Sequence, residues 1–192
     1  GNTLEIDNKY IMSPKDLCTI EFMDKIIDAG VTVFKIEGRA RSAEYVKTVA
    51  RCYRDAADAV LAGKYTPEYA SELKERLSTV FNRGFWDGYY QGARLGEWSE
   101  VYGNKATKSK KYIGKVTNYF SNIGVAEILI ETGSISVGDN VIIIGPSTGV
   151  VEVTVEEIRV DLKSTESAVK GEYCSIAVPE KLRRSDKLYL FQ

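Results

Sequence analysis

A chain of 192 residues with a formal net charge of -1 and an ordinary apolar share is long enough to bury one or two cores, which excludes a disordered polypeptide, and nucleic-acid binding is not written in its overall charge. No apolar run approaches the roughly 20 residues that a membrane span needs, and no charged-then-apolar start resembles a signal peptide, so a cytoplasmic protein without a membrane partner is expected. Histidine is absent, which removes the Ser-His-Asp, Cys-His and His-Glu-x-x-His hydrolase sites; the three cysteines, Cys18, Cys52 and Cys174, are an odd number and too scattered for a disulfide framework or a zinc site built from this chain alone.

Residues 3–12 alternate loosely around Leu4, Ile6, Tyr10 and Ile11, as a short strand or an extended arm. Ser13 then reads as an N-cap, with Pro14 at the first helical position and Asp16 three residues after the cap. This predicts a helix over 14–29, with Leu17, Ile20, Met23 and Ile27 on its buried stripe and Gly30 at its end. A strand is expected over 31–37. Strand residues alternate faces, so Lys35 and Glu37 share a side with Val31 and Val33, while Phe34 and Ile36 point the other way. Ser42 caps a second helix that carries Val46, Val49, Tyr53, Ala56 and Val60 on one face and stops at Gly63. Thr66-Pro67-Glu68 announces a third, with Tyr69, Leu73, Leu77, Val80 and Phe81 as its apolar positions and Gly84 closing it. The glycine- and aromatic-rich stretch over 83–94 either stacks on bases or sugars or pins a loop across a domain seam.

Lysines crowd residues 105–111, and this basic run is taken as the boundary between domains 1–104 and 105–192. Beyond it the apolar period becomes two. Strands are expected over 112–119, 125–131, 140–144, 150–158, 171–178 and 187–191, separated by turn residues, which suggests a small closed antiparallel barrel and an α+β chain overall.

Four groups of residues carry candidate chemistry. Lys35, Glu37 and Arg39 stand at the carboxyl end of the expected strand, where α/β structures place their catalytic groups; the plainer reading is a surface ion pair. Arg39 and Arg41 flank the start of the second helix, as a phosphate or carboxylate site or as partners of Glu37, Glu44 or a barrel neighbour. Cys18 falls in the first turn of the expected helix, whose dipole would lower the thiol pKa, or it is a small buried apolar side chain. Lys110 and Lys111, joined by Arg183 and Arg184 near the far end of the barrel, form an RNA-facing patch or belong to a solvated linker.

Two motifs resemble a known family. Ser13-Pro14-Lys15-Asp16-Leu17-Cys18, followed one helix later by Phe34-Lys35-Ile36-Glu37-Gly38-Arg39 and Ser42-Ala43-Glu44-Tyr45-Val46, resembles the collagenase-like peptidases of family U32, over about residues 10–62. The barrel, with Gly138-Asp139 before a strand and Arg183-Arg184-Ser185-Asp186 near the end, looks like the second domain of elongation factor Tu and other translation factors, whose relatives carry RNA or RNA-bound partners. The first resemblance implies a longer parent with a TIM-like barrel, of which this chain holds the closing helix-strand-helix unit, since such a barrel takes about 250 residues. It implies Lys35, Glu37 and Arg39 as contributors to the parent's catalytic mouth, acting in RNA hydroxylation or in proteolysis. It implies a 4Fe–4S cluster in the parent with Cys18 as one ligand, and none in this chain. The missing barrel, RNA, or a second copy of the chain covering the exposed apolar surface are the expected partners.

Overall fold

The computed structural model describes residues 14–93, 96–99 and 103–192. The expected arm over 3–12, the Ser13 cap and Arg94 of the aromatic stretch lie outside the described residues. The chain divides into two compact units, Gly1–Thr107 and Lys108–Gln192.

The N-terminal unit contains β1 (Asp16–Leu17), a 3-10 turn Ile20–Phe22, α1 (Met23–Asp28), α2 (Ala43–Leu61), α3 (Pro67–Ser78) and β2 (Phe85–Trp86). Its core gathers Ile20 and Met23, the α2 positions Val49, Cys52 and Ala56, and Leu73, Leu77 and Val80. The α2 positions recur at three and four residues, so one face of that helix is buried. Gly63 takes the left-handed conformation (φ +66°) that ends α2 there. Thr66 caps α3, its side chain accepting the Tyr69 N–H at 3.2 Å, with Pro67 in the first turn.

Three expectations for this unit need correction. The helix predicted over 14–29 is only α1, because the backbone N–H groups ahead of it bond to distant carbonyls: Lys15 to Glu97, Asp16 to Gly84 and Cys18 to Trp86. These bonds make β1 a parallel partner of β2, with Asp16 opposite Phe85 and Leu17 opposite Trp86. Next, α3 ends at Ser78 rather than near Gly84, since the Ser78 carbonyl is taken by the Asn82 side chain and the Thr107 N–H. Finally, residues 31–37 form no strand. Val33 is 81% exposed, Phe34 alone of the apolar residues there packs on the core, and no ladder partner stands beside this stretch among the described residues. An apolar alternating segment becomes a strand only when a neighbour takes its N–H and C=O groups. The expected TIM-like helix-strand-helix unit is therefore not formed among the described residues.

The C-terminal unit carries β3 (Lys110–Phe120), β4 (Val125–Ile130), β5 (Ser134–Ser136), β6 (Asn140–Gly145), β7 (Gly149–Thr154), β8 (Ile158–Val160), β9 (Lys163–Thr165), β10 (Ser167–Val169), β11 (Tyr173–Ala177) and β12 (Lys187–Phe191). Eight of them form one antiparallel sheet in the order β7-β6-β12-β3-β4-β11-β8-β9, and β5 pairs with β10 in a separate ribbon. Alternation sends Ile113, Ile128, Ile143, Val151, Ile176 and Leu188 inward, where Ile135 of β5 and Ala168 of β10 meet the same core. Sheet and ribbon thus curl round one core, but the two edge strands β7 and β9 are not joined to each other, so among the described residues the expected barrel is not closed by a continuous ladder. The run expected over 150–158 breaks into β7 and β8 because Val155 exchanges backbone hydrogen bonds with the Gly138-Asp139 turn. Two glycines mark close approaches: a Cβ on Gly114 would lie 2.0 Å from the Leu129 carbonyl oxygen, and one on Gly145 1.8 Å from Asp186 Oδ1. Overall the chain is of the α+β class, with few helices and a large antiparallel sheet.

Candidate functional site

In the N-terminal unit the predicted catalytic residues lie on an exposed loop. The partner of Glu37 is Arg39 rather than Lys35: the Arg39 N–H donates to Glu37 Oε1 at 2.6 Å, and the guanidinium lies 3.9 Å from Oε2 with the two side chains 90% and 64% exposed. The turn is tightened by Ala40 in the left-handed region (φ 56°) and by the Arg41 N–H to Gly38 carbonyl bond. Such a surface pair contributes about 0–1 kcal/mol.

Arg41 is placed differently. Its guanidinium covers the Phe81 ring at 3.9 Å and the Tyr45 ring at 5.5 Å, and lies 3.9 Å from Asp16 Oδ1. Asp16 also takes a hydrogen bond from the Arg83 guanidinium at 3.1 Å and from the Arg83 N–H at 2.9 Å. Burial first, and then the nearby Asp16 charge, push the Tyr45 phenol above its ordinary value. Asp16, read from sequence as part of a helix cap, therefore ties β1 to the start of α2 and to the segment after α3. No local signal marks this role, because its partners are far away in sequence.

Cys18 lies ahead of the 3-10 turn, outside any helix, and burial raises its thiol pKa where the helix dipole was expected to lower it. The Tyr53 hydroxyl donates to its sulfur at 3.9 Å and itself accepts the Thr19 N–H at 3.0 Å. Cys52 is buried in the same core, whereas Cys174 sits in β11 of the other unit with its pKa pushed up by burial to about 12. Among the described residues no group of three or more cysteine, aspartate or glutamate side chains is placed to hold a metal ion. Three buried, protonated thiols divided between two units do not match the four-thiolate set of an iron–sulfur cluster.

The C-terminal unit brings basic and aromatic side chains together on the outward face of its sheet. Pairing sets Phe191 opposite Lys110 and Tyr189 opposite Tyr112, with Leu188 and Leu190 turned to the core. The Lys110 ammonium lies 5.2 Å from the Tyr189 ring and that of Lys108 5.0 Å from the Phe191 ring, while Tyr112 and Tyr189 meet edge to face at 5.6 Å. Tyr112 donates its hydroxyl to Glu131, whose other oxygen is 2.6 Å from the Lys115 ammonium. The Lys115 bond, then that of Tyr112, hold the Glu131 carboxyl below its usual range, and the Glu131 bond pushes the Tyr112 phenol up to about 12.

Beside Phe191 the same face holds a cleft of about 210 Å³, bounded by Lys108, Asn140, Glu152 and Thr154. Ile142 forms its floor and is 1% exposed although it faces away from the core. Thr154 donates its hydroxyl to Asn140 Oδ1 at 2.9 Å, which orients the amide.

The four residues expected to bind RNA are not gathered into one patch. Lys110 belongs to the face just described, whereas alternation turns Lys111 the other way, with its ammonium beside Gly133. Arg183 and Arg184 are exposed on the turn before β12, which is pinned to Val116 by the Ser185 N–H and the Asp186 carbonyl, roughly 17 Å further along β3 than Lys111. Sequence reasoning did not single out Asn140, Tyr189 or Phe191, because only the β3–β12–β6 register brings them to the lysines.

Residues 1–100 match the profile of Peptidase family U32. A collagenase of Porphyromonas gingivalis is 58% identical over 191 residues, covering 100% of this chain and 46% of that relative. The tRNA hydroxylation protein P1 of Bacillus subtilis is 33% identical over 155 residues, covering 80% of this chain and 36% of that protein. The C-terminal domain of a U32 peptidase from Geobacillus thermoleovorans superposes with a TM-score of 0.39 at 19% identity, over 41% of this chain and 89% of that domain. The chain thus spans less than half the length of either full-length relative. Since the profile covers more than half of its 192 residues and the identity to one relative extends over all of it, the chain belongs to peptidase family U32.

Proposed function

We propose that the C-terminal unit binds single-stranded RNA and serves a longer protein that hydroxylates tRNA or rRNA. The observation that carries this is the pairing of two lysines with aromatic rings, Lys108 on Phe191 and Lys110 on Tyr189, along one outward sheet face. Single-stranded nucleic acids are held by cations that follow the backbone and by aromatic rings on which bases stack. The relative named for tRNA hydroxylation is consistent with an RNA target. Fluorescence anisotropy with labelled tRNA should show binding that weakens steeply as salt rises, with Lys108→Ala plus Lys110→Ala lowering affinity at least tenfold. Changing Lys111, Arg183 and Arg184 together should cost less and mainly reduce the salt slope. Affinity indifferent to salt and to both sets of changes would exclude the RNA reading.

A second reading, proteolysis by the longer protein with Lys35, Glu37 and Arg39 on its active-site rim, draws on the 58% identity to a protein named collagenase. This chain alone is expected to leave gelatin uncut, whereas the full-length protein should cut it and lose turnover on Glu37→Gln. Turnover unchanged by that substitution would remove Glu37 from the mechanism.

A further inference from the structure

We infer that the exposed aromatic face of the N-terminal unit, built from Leu17, Trp86, Tyr89 and Trp98 around Gly96, docks an extended proline-rich peptide in the polyproline II conformation. The inference rests neither on the RNA reading of the C-terminal unit nor on proteolysis by the longer protein.

Three backbone segments hold this face together. The Lys15 N–H donates to the Glu97 carbonyl at 3.0 Å, the Cys18 N–H donates to the Trp86 carbonyl at 2.9 Å, and Pro14 forms a bridge with Trp98. The β1 strand therefore lies between β2 and the segment of Glu97 and Trp98. Asp16 and Phe85 turn to Arg83 and to the core, so alternation puts Leu17 and Trp86 on the outer side. Leu17 packs over Gly88, where a Cβ would come within 2.8 Å of its Cδ1. The Trp86 and Tyr89 rings meet edge to face at 5.3 Å, with 79° between their planes. Beside them Gly96 leaves a notch: a Cβ there would lie 3.5 Å from Tyr89 Oη and 3.8 Å from both the Trp86 and the Trp98 rings. Leu17 is 54%, Tyr89 62% and Trp98 41% exposed, so the face is open to solvent.

The chemistry of the face selects its ligand. Proline-rich segments dock on aromatic-lined grooves, and because their polyproline II form is preset, little ordering entropy is lost on binding. The polar groups among these rings are the two indole N–H groups and the Tyr89 hydroxyl, which have no hydrogen-bond partner among the described residues. An indole only donates. A proline-rich chain is its complement, since proline has no backbone N–H and the carbonyls of a polyproline II helix make no bonds within the chain. A polynucleotide fits less well, because it needs cations that follow its backbone. Here Lys15 is closed onto Glu97 at 2.5 Å, and the cation at the Gly84 end, Lys105, is offset by Asp87 next to Trp86. The face is thus rich in rings and donors and balanced in charge, as a neutral, acceptor-rich peptide requires.

Trp86 and Trp98 are the two tryptophans of the chain, so intrinsic emission reads this face directly. Titrating the whole 192-residue chain with an end-blocked decaproline should give a saturable emission shift, and a Gly-Ser decapeptide should give none. Tyr89→Ala, at an exposed side chain outside the core, should weaken decaproline binding roughly tenfold. Gly96→Ala, whose methyl group fits without a clash, should weaken it by about threefold or more by filling the notch, and carries the test if the Tyr89 variant fails to fold. Lys108→Ala with Lys110→Ala should leave decaproline binding unchanged, which separates this face from the one proposed for RNA. No saturable response to decaproline at millimolar concentration would overturn the inference. So would an equal response to the Gly-Ser peptide, or binding indifferent to both Tyr89→Ala and Gly96→Ala. An emission change produced by single-stranded RNA and abolished by Tyr89→Ala would assign the face to nucleotides. One that follows protein concentration alone, with dimers in sedimentation, would assign it to a second copy; either result overturns the peptide reading.

Discussion

Tyr53 shows how much one side chain joins in the N-terminal unit. Its oxygen accepts the Thr19 N–H at 3.0 Å while its hydroxyl is directed at the Cys18 sulfur, so a single phenol satisfies the backbone between β1 and the 3-10 turn. Burial, more than the neighbouring thiol, moves its pKa from 10.0 up to about 12. The unfolded chain therefore releases this proton from about pH 10 and the folded chain only near pH 12. The stability Tyr53 contributes is complete below pH 10 and falls away as pH rises from 10 to 12. Two pH units correspond to about 2–3 kcal/mol at most. Cys18 and Tyr65, raised by burial in the same core, act in the same direction. Both tryptophans, Trp86 and Trp98, belong to this unit, so urea unfolding followed by their fluorescence reads it selectively. Tyr53→Phe should lose about 1–2 kcal/mol at pH 7, from the unpaired Thr19 N–H, and should show a shallower decline between pH 10 and 11 than the parent. An identical decline would mean that other groups carry the alkaline sensitivity.

At the scale of elements, local signals were reliable where the element's own residues decide its fate. Helices α2 and α3 start within a residue of Ser42 and Thr66, as their capping chemistry predicts, and the alternation of Val125–Ile130 gives β4 directly. The same kind of signal failed at Pro14 and Asp16, where hydrogen bonds to Glu97, Gly84 and Trp86 outweigh a good N-terminal pattern. Those partners are some 70–80 positions away, beyond any local reading. The short strands β5, β9 and β10 were missed for a similar reason: three residues carry too little pattern to be seen without their neighbours. The two caps also differ in a way spacing does not reveal. The Thr66 side chain bonds the Tyr69 N–H, whereas the Ser42 side chain makes no capping bond. Thr66→Ala is accordingly expected to cost about 1 kcal/mol of stability and Ser42→Ala a few tenths at most. Equal losses in parallel thermal melts would show that Ser42 caps its helix in solution.

For the whole molecule, the α+β class was legible, as was the change from helical to strand periodicity along the chain. The state of residues 31–37 was not. Their pattern describes a strand, and a pattern cannot report whether a neighbouring strand is present. Val31, Val33 and Ile36 are 42%, 81% and 37% exposed, and the only apolar anchor of the stretch is Phe34. An alternating apolar segment that has no ladder partner among the described residues is a template for another extended chain, as an edge strand is. In the longer protein we propose that its partner comes from sequence outside this chain, which spans 46% of its Porphyromonas relative. For the isolated chain we propose a second copy of the same segment as the partner. Sedimentation velocity should then show reversible dimers at micromolar concentration, and Val33→Lys with Ile36→Lys should return the chain to monomer. Because neither side chain is in the core, the same double variant should keep the parent's melting temperature within a degree or two. A parent chain that stays monomeric up to its solubility limit would refute self-pairing through this segment. A double variant that still dimerises would place the contact on another surface.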